Sequence, residues 1–96
     1  MVFYHGTTDA VLGNSYKLMP PVSTGNLQEK GRKKNLDKVF FTADLGLARV
    51  YAGRSCNRFG GSPVVVRVIP MTEVETISEG AGATVYACDW AFCEPT

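Results

Sequence analysis

The sequence lacks any apolar run near the ~20 residues that a bilayer-spanning helix requires. It has one histidine, three cysteines and almost no excess of charge. Each shortage removes a class of function. No membrane-spanning helix is expected, and the first residues lack the basic-then-apolar layout of a secretory leader, so a cytoplasmic location is expected. Cys56, Cys88 and Cys93 are odd in number and form no Cys-x-x-Cys pair. That argues against both a disulfide framework and a structural zinc site, so no metal and reduced, mostly buried thiols are expected. Ten basic residues against nine acidic leave a net charge of +1. Nucleic-acid binding by phosphate neutralisation over a broad surface is not expected, which leaves room only for a local basic patch.

What is present suits one small folded unit. With 96 residues, 45% of them hydrophobic and 20% charged, the chain reads as a single domain over residues 1–96 with a modest core. Residues 2–5 are β-branched and aromatic, and predict a short first strand that ends in a His-Gly turn. A helical turn is expected over 9–12 and extended chain near 17–19, before Pro20-Pro21 rules out a continuing helix. From 23 to 37 the composition is polar, with Lys30, Arg32, Lys33 and Lys34 clustered, which predicts a long loop.

Val39-Phe40-Phe41-Thr42 predicts a second strand. Asp44 then stands at an N-cap position before a helical run over 45–52, with Gly53 as its stop. Residues 54–61 read as a flexible connection. The run 64–69 predicts the strongest strand, apolar enough to suggest burial on both faces. Residues 73–77 alternate as a half-buried strand would, residues 84–88 predict the last strand, and 89–96 read as an apolar tail packing Trp90 and Phe92. Helix is scarce, so the expected class is α+β with strands dominant.

The chemistry-bearing residues gather around few places. His5 is the side chain most easily tuned near neutral pH, Gly6 removes a Cβ where a ligand could approach, and Thr7 and Thr8 add hydroxyls. The same histidine serves equally as a hydrogen-bonded structural residue. Glu73 and Glu75 share one face of their strand, either as functional acids or as solvent-facing edge charges.

Tyr4-His5-Gly6-Thr7, then Val39-Phe40-Phe41-Thr42-Ala43, then a helix carrying Ala48 and Tyr51, and a strand ending Val68-Ile69-Pro70, form an ordered series. This series resembles the mono-ADP-ribosyltransferases of the diphtheria-toxin-like branch, whose sites carry an H-Y-E/D set. The closest likeness is to the small rifampin ADP-ribosyltransferases. The resemblance implies a split, strongly bent, mainly antiparallel β-sheet core with one or two short helices, and NAD as co-substrate in a cleft between the halves. It implies that His5 holds the adenosine-side ribose, that the Gly6 backbone pairs with the nicotinamide carboxamide, and that Thr7 supports the turn or a ribose hydroxyl.

In that family the second position is tyrosine; here it is Phe40, which keeps the stacking face and loses the hydroxyl. Tyr51 would add a second aromatic wall, or else belong to the core. The third position is an acid, matched best by Glu75, with Glu73, Glu79, Asp89 and Glu94 as alternatives. The Asp-Pro-Asn and Gly-Asn-Pro-Thr segments of the rifampin enzymes are absent. The expected function is transfer of ADP-ribose from NAD to a protein, nucleic acid or small molecule, suited to a bacterial toxin or a phage protein acting on a host partner. The alternative is a transferase fold without turnover that binds NAD or ADP-ribose, or inhibits a protein partner.

Overall fold

The computed structural model describes residues 1–20, 38–80 and 83–96, the side chains of 78–80 and 83 excepted. The loop expected over 23–37, with its basic cluster, and the turn at Ala81-Gly82 lie outside the described residues. Seven strands are formed: β1 (Phe3–Thr8), β2 (Lys17–Leu18), β3 (Val39–Thr42), β4 (Pro63–Pro70), β5 (Glu75–Gly80), β6 (Ala83–Cys88) and β7 (Ala91–Pro95). Among the described residues two helices accompany them, α1 (Asp9–Leu12) and α2 (Leu45–Phe59). All pairings are antiparallel, in the order β2-β7-β4-β1-β3-β6-β5. The small α+β class with an antiparallel sheet is therefore as read from the sequence.

The connectivity forces the sheet to bend. Strands β6 and β7 are joined by Asp89 and Trp90 alone, yet three strands lie between them in the sheet. In a flat sheet four spacings of ~4.8 Å would hold them about 19 Å apart. Three Cα–Cα steps of 3.8 Å reach only about 11 Å. The two flanks of the sheet must therefore curl toward each other. One apolar cluster records this, drawing Leu18 from β2, Val66 and Val68 from β4, Ala91 and Cys93 from β7, Val39 and Phe41 from β3, and Cys88 from β6. Phe3, Phe41 and Tyr86 close it with ring centroids 4.8 to 6.0 Å apart.

The opposite face of β1 is covered by α2. Asp44 caps this helix, its side chain accepting from the Leu47 amide at 3.1 Å, and Ala48 and Ala52 form its buried stripe. Gly53 does not stop it. The helix runs on to Phe59 and ends at Gly60, which sits at φ 79° with its N–H on the Cys56 carbonyl. A mid-helix glycine costs about 1 kcal/mol relative to alanine, which packing of the helix against β1 offsets. The positive φ at Gly60 is one that glycine adopts without steric cost, and it turns the chain out of the helix.

Three further expectations need correction. The first strand does not end in a His-Gly turn but continues through Thr8, with Gly6 opposite Val65 in a regular ladder with β4. Strand β4 is not buried on both faces: Val66 and Val68 are buried, while Arg67 and Ile69 are exposed, because α2 covers only part of its outer side. The expected tail is instead strand β7, seated between β2 and β4. Its small residues Ala91 and Cys93 point inward, and its large one, Phe92, stays half-buried beside Trp90.

Candidate functional site

The site begins with an uneven strand. Along one edge β1 pairs with β4 at every residue from Phe3 to Thr8. Along the other edge it meets β3 at a single position, Tyr4 opposite Thr42. Beyond that bridge the main chains separate and a side chain takes over, since His5 Nδ1 lies 2.5 Å from the Phe40 carbonyl oxygen. The seven strands form one sheet, whose joint between β1 and β3 rests on one register pair and on His5 spanning the seam.

That contact determines the imidazole's chemistry. A carbonyl can only accept, so Nδ1 carries the proton and donates, and in the neutral ring Nε2 is left as an acceptor. Packing around the ring desolvates it and pulls its pKa below the usual 6.5, while the bond to the Phe40 carbonyl pushes the other way with smaller effect. At neutral pH the group is an uncharged, oriented hydrogen-bond acceptor. Strand alternation sends His5 to the face of Phe3 and Thr7, opposite Val66, and it sends Phe40 to the other face, with Thr42. The two segments therefore meet through ring and main chain, not through two facing side chains. The ring beside Phe3 is that of Phe41.

Gly6 is explained by the helix. A Cβ built there would lie 1.9 Å from the Ala48 carbonyl oxygen and 2.6 Å from the Ala52 nitrogen. The space that a ligand was expected to use on this side of the strand is filled by backbone of α2. What Gly6 offers the seam is its in-plane main chain. Thr7 is buried within β1. Thr8, fully buried, binds the Gly60 carbonyl at 2.6 Å and accepts from Ala10, tying the end of α2 to β1.

Glu75 opens β5 opposite Ala87, and Ala87 is opposite Phe40 on β3. Phe40, Ala87 and Glu75 thus form one row on one face, with about 10 Å between the outer Cα atoms. Ala87 is fully buried and contributes only a methyl to this row. Lys38, two residues before Phe40 and so on its face, stands 3.8 Å from Glu75 and 2.6 Å from Asp89. The Glu75 side chain is 54% exposed, where such a pair contributes about 0–1 kcal/mol. Lys38, in the bend just before β3, went unnoticed in the sequence, because its acidic neighbours lie far along the chain.

Among the other acids, Glu73 precedes β5 and is exposed, Glu79 lies on β5, and Glu94 pairs with Arg67 across β7 and β4. Tyr51 sits half-buried on α2, with the Arg54 guanidinium 5.8 Å from its ring centroid. An open groove lined by Leu12 to Tyr16, Val64 to Val66 and Cys93 to Thr96 includes the residue opposite His5 but not Phe40, Tyr51 or Glu75. Among the described residues no helix is long and apolar enough to cross a membrane, and no three of His, Cys, Asp and Glu are grouped to hold a metal. No family model, curated protein or solved structure matches this chain.

Proposed function

We propose that the chain is an ADP-ribosyltransferase-type domain that binds NAD along the seam and transfers ADP-ribose to an acceptor. The observation that carries this reading is the His5 ring standing where β1 and β3 part, its tautomer fixed by the Phe40 carbonyl. A neutral imidazole with a free acceptor nitrogen receives a ribose hydroxyl without drawing or repelling charge. The β1 main chain beyond Tyr4 has no register partner on β3 and so offers directional groups to an amide. When bound, NAD supplies an ADP-ribosyl group whose nicotinamide departs to leave a cationic sugar centre. Phe40 and Glu75 stand on the sheet face away from His5. In this reading the nucleotide crosses the open part of the seam to reach a ring face at Phe40, a second aromatic surface at Tyr51 and a carboxylate at Glu75. Lys38 stands 3.8 Å from that carboxylate.

Incubation with labelled NAD and cell extract tests the reading: a labelled acceptor and released nicotinamide are expected, both suppressed in Glu75→Gln. Release that is equal in Glu75→Gln removes Glu75 from the mechanism. A second reading, binding without turnover, is favoured by the missing hydroxyl at Phe40 and by the exposure of Glu75. Under it NAD or ADP-ribose raises the melting temperature with concentration, His5→Ala removes the shift, and no nicotinamide appears.

A further inference from the structure

The outer face of the sheet is unevenly covered. At β1 it lies under α2, where the backbone of Ala48 and Ala52 meets Gly6. Farther out one cross-strand row stays open: Ile69 on β4 is opposite Phe92 on β7, and Phe92 is opposite Lys17 on β2. Ile69 is 44% exposed, Phe92 is half-buried and Lys17 is exposed. Trp90, also half-buried, stands beside Phe92 with ring centroids 5.0 Å apart and ring planes at 77°. The two rings make a corner. The Lys17 ammonium sits against it, 5.5 Å from the Trp90 centroid and 6.0 Å from that of Phe92. Among the described residues Lys17 belongs to no ion pair, whereas Lys38 and Arg67 each have a carboxylate within reach. What holds the Lys17 cation is the pair of rings.

A lysine on a short edge strand has an ordinary use, since its charge discourages pairing with another chain. That use needs no aromatic corner beside the ammonium. We propose that Trp90 and Phe92 form a binding site for a small soluble quaternary ammonium compound, which displaces Lys17 from the corner. Two nearly perpendicular rings attract a cation from two sides and offer it no hydrogen-bond acceptor. A primary ammonium is strongly hydrated and gives up water to sit there. An ammonium whose hydrogens are all replaced by methyl groups has no such bonds to lose, so it outcompetes lysine at the same rings. Ile69, next in the row, adds apolar surface for the methyl groups. The neighbouring row carries the exposed Arg67–Glu94 pair, which suits a dissolved compound better than a lipid surface that would cover it. Strands β4 and β1 stand between β7 and the seam, so this site is independent of the proposed NAD site.

Trp90 is the sole tryptophan, and its emission reports on the corner directly. The test titrates the whole chain with choline chloride at constant ionic strength and follows that emission. A saturable change is expected, half complete at about 10 mM, as befits two partly exposed rings. Lys17→Thr, at an exposed position, is expected to tighten binding about fivefold by removing the internal competitor. Phe92→Leu is expected to weaken it about fivefold by removing one ring and keeping the apolar bulk. The neutral carbon isostere of choline, equal in shape and lacking the charge, is expected to leave the emission unchanged. No saturable change up to about 100 mM choline overturns the proposal. So does an equal response to the isostere, or a response indifferent to both variants. Phosphatidylcholine vesicles that shift the emission where choline does not also overturn it, by assigning the corner to a membrane surface. A parallel NAD titration separates the two ideas: a choline response without an NAD response removes the transferase reading alone, and the reverse removes this one alone.

Discussion

The two edges of β1 solve one problem in different ways. Toward β4, six consecutive residues keep register in one ladder, with every second pair hydrogen-bonded. Toward β3, one register pair and one imidazole do the work of a ladder. A ladder is cooperative and tolerant of side-chain change, because its bonds belong to the backbone. A seam held by a side chain depends on one residue type in one protonation state, and it leaves main-chain groups open to something other than a strand. The difference puts the regular ladder on one edge of the strand and a single side-chain bridge on the other.

The sharpest way to break this contrast is to lift α2 from the strand that carries both edges. Gly6→Ala drives a methyl into the backbone of Ala48 and Ala52, and overpacking of that kind costs about 3 kcal/mol or more. Urea titration should show the midpoint falling accordingly. Next comes the ladder side: Val66→Ala, opposite His5 and 4% exposed, is expected to lose about 2–3 kcal/mol in the same measurement. At the seam, His5→Gln should cost only about 1 kcal/mol, the net value of one hydrogen bond, and yet it should abolish the response to NAD.

The seam also carries a pH signature that the ladder lacks. In the unfolded chain the imidazole takes up its proton as pH falls through about 6.5, whereas in the folded chain burial holds the pKa lower. The stabilising contribution is complete above about 6.5 and is lost as pH falls from there toward the folded value, with a slope of at most about 1.4 kcal/mol per unit. His5 is the sole histidine, so melting temperature measured between pH 7.5 and 5.5 should fall in the wild type and hold nearly level in His5→Gln. The smallest effect is Lys38→Met, worth under about 1 kcal/mol of stability for an exposed pair. Its readout is turnover, which should drop as the Glu75 carboxylate loses its neighbouring cation.

Much of the scaffold was legible from composition. Strands β1, β3, β4 and β6 follow from β-branched and aromatic runs, and the α2 start follows from Asp44. The far end of α2 was not, since Gly53 reads as a stop wherever tertiary packing is unknown. Strand β7 was hidden because its pattern is inverted in size: alanine and cysteine face the crowded interior while Phe92 faces out. The residues His5, Phe40 and Glu75 were readable as types. Their relation was not, because it depends on β1 and β3 touching at one bridge and on Ala87 standing between Phe40 and Glu75. Gly6 was given to a ligand, whereas helix backbone occupies its open side.

The place of β7 has a consequence for how the molecule is made. Residues 91–95 follow every other described strand in the chain, yet they fill an interior slot, and Lys17 and Leu18 pair with them. Until they arrive, a nascent chain presents the Val66–Ile69 edge bare and β2 adrift. Truncation after Asp89 should yield an aggregating product and not a smaller fold.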